Sequence, residues 1–209
     1  MTTPARLAVL LTLALTLVAC IAQPKSGDVL LVDDFSKPES GFNRQSDADA
    51  ITDYLDGEYQ IHIFTPNLNV WAVSGPKFTD TIIEVNARTA GGSENNLFGV
   101  LCRHQDDSNF YFFAISADSY YAIGKLKDGA IVLLSSSVFE YSDKILPGQA
   151  VNHVIATCAG TTLTLSANGT QLAQITDGDF TEGQIGLIAG AFDDPETDVR
   201  FDNVLVIKP

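Results

Sequence analysis

The sequence predicts an all-β fold, a two-sheet antiparallel β-sandwich, and three observations carry that reading. Short apolar or alternating runs recur between turn residues, with no sustained helical period beyond the first twenty residues. Asp56-Gly57, Asp128-Gly129 and Asn168-Gly169 each separate two such runs, and both residues of each pair tolerate the positive φ of a two-residue hairpin. So many strands in one domain cannot remain one open sheet without exposing a long apolar face, so two sheets must pack together.

Taken in order, the chain begins with "MTTPARLAVLLTLALTLVAC", one Arg followed by an apolar run from Leu7 to Val18 and then small residues. That run falls short of the roughly 20 residues a spanning helix needs and reads as a secretory signal, residues 1–19. Leu17-Val18-Ala19-Cys20 resembles the bacterial lipobox, which implies that Cys20 becomes a lipidated N-terminus. Two or more acyl chains make such an anchor stable. Residues 20–28 then form the lipidated Cys and a short polar linker, and membrane contact is expected through the anchor alone. The expected location is the bacterial cell envelope outside the cytoplasmic membrane. Because Ile21 rather than Asp follows the Cys, the outer membrane is favoured where a cell has two.

The sandwich domain is expected over residues 29–209. Val29–Phe35 is an apolar run into Asp33-Asp34, and Ala50–Leu55 and Glu58–Phe64 flank Asp56-Gly57. Val70–Val73 surrounds Trp71, and Thr79–Arg88 alternates. Leu97–His104 and Phe110–Ile115 flank the polar stretch "QDDSN", and Tyr120–Leu126 and Ile131–Ser136 flank Asp128-Gly129. Val151–Cys158 precedes Thr162–Ser166 and Gln171–Thr176, which flank Asn168-Gly169; Gln184–Gly190 and Val199–Ile207 complete the domain. In "FYFFAI", period two sends Phe110, Phe112 and Ala114 one way and Tyr111, Phe113 and Ile115 the other. Both sets are apolar, so one fills the core and the other lies in a partly covered concavity or beneath a loop.

The segments "FTDTIIEVNARTAGGSENNLFGVLCRHQDDSNFYFFAIS", "YYAIGK", "VNHVIATCAGTTLTLSANGTQLAQITD", "GQIGLIAGAF" and "VRFDNVLV" resemble the concanavalin A-like lectin/glucanase jelly roll. More narrowly, they are similar to laminin G-like and 3-keto-disaccharide hydrolase-type domains of exported bacterial proteins. The likeness covers nearly all of Val29 to Ile207 and implies that the first and last strands are neighbours. It specifies architecture better than function, because this superfold hosts lectins, hydrolases and structural modules.

Catalytic groups are hard to find. Glycoside hydrolysis usually needs two carboxylates flanking the scissile bond. The E-x-D-x-x-E strand of related glucanases is absent, with Glu84 followed at alternate positions by Asn86 and Arg88. There is no G-x-S-x-G, H-E-x-x-H or phosphate loop, and His62, His104 and His153 sit in strands without an evident partner. The expected function is therefore a noncatalytic binding module for carbohydrate or envelope glycan. The alternatives are a glycoside-acting enzyme of the 3-keto-disaccharide type and a protein-protein scaffold or adhesion domain.

The formal charge of −14 becomes one unit more negative once residues 1–19, which hold Arg6 and no acid, are removed. That balance argues against nucleic acid and anionic lipid as partners. Sugars stack apolar C–H faces on aromatic rings and need polar partners for their hydroxyls. The candidate ligand-binding residues are Trp71, Arg103, Asp107, Asn109, Tyr111, Tyr120 and Tyr121, set against the reading that most rings simply pack. Cys102 and Cys158 are expected to face inward and pair as a disulfide, the alternative being two buried thiols. The one cofactor weighed is a structural calcium at Asp33, Asp34, Asp202 and Asn203, against plain solvated strand ends.

Overall fold

The computed structural model describes residues 24–38, 41–194 and 196–209; the signal segment and Cys20 lie outside the described residues. Among those residues the chain forms strands and no helix. Strands are numbered along the chain. One sheet runs in the order β14 (Thr170–Thr176), β13 (Thr162–Ala167), β12 (Asn152–Ala159), β6 (Thr81–Gly92), β16 (Thr197–Ile207), β4 (Glu58–Ile63), β3 (Ala50–Leu55) and β2 (Gln45–Ser46), with β1 (Val29–Asp33) also on β16. The other runs in the order β10 (Ala130–Leu133), β9 (Tyr120–Lys127), β8 (Asn109–Ile115), β7 (Asn96–Asp106), β15 (Gly183–Ala191) and β5 (Leu68–Phe78), with β11 (Glu140–Tyr141) on β9. Every pairing is antiparallel. The result is the expected all-β sandwich.

The three Gly-containing dipeptides behave as their chemistry requires. Asp56, Asp128 and Asn168 have φ of 57°, 51° and 51°, followed by Gly57, Gly129 and Gly169 at 82°, 78° and 80°. Two successive positive φ values match the right-handed twist of the flanking strands, which join as the β3–β4, β9–β10 and β13–β14 hairpins. Strand limits moved where pattern was weak. The strand expected at Val70–Val73 extends over Leu68–Phe78 and includes Pro76, tolerated because β5 is a sheet edge. The two-residue strands β2 and β11 are too short to show a period.

The core fills the space between the sheets. Tyr111, Phe113 and Ile115 of β8 enter it beside Phe98, Val100 and Cys102 of β7, facing Ile83, Val85 and Ala87 of β6 and Val154, Ala156 and Cys158 of β12. Cys102 and Cys158 form a disulfide that ties one sheet to the other. The opening and closing strands are neighbours as expected, with Asp33 opposite Val204.

Candidate binding groove

The second face of β8 builds the site. Phe110, Phe112 and Ala114 point away from the core and join Leu97, Leu101 and Ile188 in a separate apolar cluster on the outer face of the seven-stranded sheet. Trp71, Val73, Leu126, Leu133, Phe139 and Phe192 pack around that cluster. Two glycines shape the floor by close approach. A Cβ on Gly124 would meet the Phe112 ring at 2.2 Å, and one on Gly190 would meet Asn69 Oδ1 at 2.2 Å. The bare backbone thus lets Phe112 and Asn69 lie flat against the sheet.

Over this floor is a cavity of about 440 Å³, lined by residues that include Trp71, Phe110, Phe112, Ile131, Leu133, Phe139 and Phe192. Its size is ordinary for a small-molecule site. A second cavity of about 330 Å³ shares Asn69, Trp71 and Asp107 with it and is lined by Asn43, Gln45, Asp47 and Asp49. A third, of about 370 Å³, shares Phe139 and Phe192 and adds Asn95, Asn96, Asp118, Tyr120 and Asp193. The three are contiguous through shared residues and make one groove, apolar in the middle and polar at both ends.

Trp71 stands at the junction of the middle with one polar end. Its indole Nε1 donates to Asp107 Oδ1 at 3.2 Å, and its ring packs on Phe110 with centroids 5.0 Å apart. His104 stacks on the same Phe110 and brings Nε2 within 3.4 Å of Asp107 Oδ1, yet both of its ring nitrogens are buried without a hydrogen bond. Burial holds the His104 pKa below its ordinary value, against the pull of Asp107.

The sequence-predicted residues divide cleanly. Trp71 and Asp107 lie in the groove, and Tyr120 lines its far end, its ring 5.7 Å from that of Tyr141. Tyr111 is a correction: it is fully buried on the core face, donating to Asp177 Oδ1 at 2.5 Å and accepting from Phe180 N at 3.1 Å. Burial, together with that donation to a carboxylate, pushes its hydroxyl up to about 12. Arg103 is a second correction. Its φ of 53° and the register shift between Cys102 and Asp106 mark a bulge that redirects the side chain. The buried guanidinium donates to the carbonyls of Thr79 and Phe180 at 2.9 and 2.8 Å and to Asp80 at 3.3 Å, so it braces two loops.

Tyr121 packs against the core, on the opposite face from Tyr120. Asn109 is used by the turn: its Nδ2 donates to Asp106, and its Oδ1 accepts from Asp128 N. Phe110, Phe112, Phe139 and Phe192 carry the groove and were not chosen from the sequence. The strand period gave a signal for Phe110 and Phe112; the other two lie outside any strand.

The acidic residues at the β1–β16 seam each serve their own turn. Asp33 Oδ1 accepts from Phe35 N, Asp34 Oδ1 from Ser36 N and Oγ, and Asp202 from Asn203 N and Nδ2. Burial and the nearby charges of Glu58 and Asp34 raise the Asp202 pKa, even though the backbone amide of Asn203 bonds it. Among the described residues, no three His, Cys, Asp or Glu side chains converge as a metal site would require.

The sequence matches no protein-family model and no curated protein. Solved structures share its fold at low identity. The carbohydrate-binding module CBM66 from Bacillus subtilis is 18% identical, with a TM-score of 0.62 over 80% of this chain and 96% of that one. A Bacillus subtilis protein of unknown function with a galectin-like fold is 12% identical, with a TM-score of 0.66 over 89% and 98%. The GH43 BlXynB protein from Bacillus licheniformis is 12% identical, with a TM-score of 0.63 over 85% of this chain and 39% of that longer one. This chain therefore has the two-sheet, jelly-roll-like β-sandwich architecture of those domains.

Proposed function

We propose that this protein is a noncatalytic module that binds a carbohydrate or envelope glycan in the groove on the outer face of its seven-stranded sheet. The observation that carries the reading is Trp71, a ring fixed by its own hydrogen bond to Asp107 where the apolar and polar parts of the groove meet. A sugar ring laid on that indole meets an apolar surface with its C–H face, and Asn69, Asn43 and Asp107 stand ready for its hydroxyls. The solved neighbours, among them a carbohydrate-binding module, are of a class that fits. Cys20 would hold the module at the membrane, a role checked by incorporation of a fatty-acid analogue; an unlabelled wild-type chain, or label retained in Cys20→Ala, counts against the anchor.

Glycan-array screening of the chain lacking residues 1–19 tests the binding role. Wild type is expected to bind a subset of glycans, and Trp71→Ala to weaken that binding about tenfold or more, the scale of one lost aromatic stacking contact. Binding unchanged by Trp71→Ala, or absent from wild type, contradicts the proposal.

A further inference from the structure

The middle of the groove is greasier than a sugar ring alone can use. Ten of its thirteen lining residues are apolar, and the two polar side chains, Asn69 and Asp107, both belong to the Trp71 end. A saccharide pushed inward would press hydroxyls onto Phe110, Phe112, Leu133 and Phe139, each left unpaired with a loss of about fivefold or more in affinity. The portion of ligand that fills this cavity therefore carries no hydroxyl. The apolar surface also reaches the rim, where Ile131 is 56% exposed.

Charge fixes the rest of the ligand. Asp47, Asp49 and Asp107 line one end and Asp118 and Asp193 the other, and among the described residues no Lys or Arg lines any part of the groove. A phosphate, sulfate or carboxylate head would face only like charge, whereas a neutral polyol offers hydroxyl donors to those carboxylates.

Resting on the glycan reading above, we infer that the ligand is a neutral saccharide bearing an apolar substituent, an alkyl or acyl group. The sugar lies on Trp71 and Asp107, and the substituent fills the cavity over Phe110 and Phe112. Burial of each added methylene strengthens binding by about fourfold until the cavity is full.

The test uses the chain lacking residues 1–19 and carrying Cys20→Ala, so that no acyl anchor competes. Calorimetric affinities are measured for methyl, butyl, hexyl and octyl β-glucoside, all below their micelle concentrations. Affinity is expected to climb at least tenfold from methyl to hexyl. Ile131→Glu, at an exposed position on the groove rim, is expected to remove most of that climb. A flat series, or a climb untouched by Ile131→Glu, overturns this inference and leaves the glycan reading standing. Octyl sulfate is expected to bind at least tenfold more weakly than octyl glucoside, and equal binding overturns the neutral head. A rising series in which the octyl ether of tetraethylene glycol matches octyl glucoside overturns the glycan reading, and this inference with it.

Discussion

Replacing both bridge residues, Cys102→Ala with Cys158→Ala, is expected to lower stability by about 4 kcal/mol, which for a domain of this size corresponds to a Tm lower by about 10 °C. The bridge spans 56 positions of sequence, and both cysteines are fully buried between the sheets. In the chain-entropy account its main effect is on the unfolded ensemble, which loses conformational freedom when residues so far apart are joined. The location adds a second effect. Strand β7 belongs to one sheet and β12 to the other, so the bond ties the two layers covalently within their packed core. Thermal melts of the double variant, and of wild type in reductant, should agree. A shift below about 2 °C would mean that packing alone sets the register of the two sheets.

Asp177→Ala carries the second large effect, a loss of about 3 kcal/mol from removing the more buried of the two carboxylates that pair a buried cation. Lys125 stands on the core face of β9 opposite Tyr111, and only 8% of it is exposed. Its Nζ lies 2.5 Å from both Asp177 and Asp179, and Tyr111 also donates to Asp177. Burial by itself would lower the Lys125 pKa, but its bonds to the two carboxylates outweigh that and raise it. The same contest appears at Asp177, where burial acts upward and bonds from Lys125 and Tyr111 prevail downward. Asp179 is held low by Lys125 and Lys127. A carboxylate whose folded pKa is depressed binds fewer protons folded than unfolded. Its contribution is thus present above the ordinary value of 3.8 and is lost as pH falls through the lower folded value. Urea denaturation at pH 7 should therefore show the full loss in Asp177→Ala, and acid should erase the difference from wild type. Lys125→Met in the Asp177→Ala background should restore part of the stability, since the buried charge left with Asp179 alone as its carboxylate partner is gone. An Asp177→Ala protein as stable as wild type at pH 7 would contradict the account.

Much of the architecture was legible because period two and Asp-Gly or Asn-Gly pairs are local signals. The alternation of "FYFFAI" implies one face in the core and the other in a partly covered concavity or beneath a loop, and the two faces do enter separate apolar clusters. What alternation cannot say is which face is which. Tyr111 reads as a candidate for ligand binding, but Asp177 and Phe180, far along the chain, satisfy its hydroxyl in the interior, while Phe110 and Phe112 of the same strand line the groove. Arg103 misled for a different reason. A strand register assigns it a face, and a single residue at positive φ cancels that assignment. Phe139 and Phe192 come from connecting segments, where no period exists to read, and only the folded chain brings their rings to 6.2 Å.

Trp71 is the only tryptophan in the chain, so its emission reports directly on the place where ligand is proposed to sit. Titration of the glycan that binds best on the array should change that emission saturably, with a midpoint equal to the calorimetric dissociation constant. Emission that stays constant while calorimetry shows the protein saturating would place the ligand elsewhere and contradict the assignment of the groove.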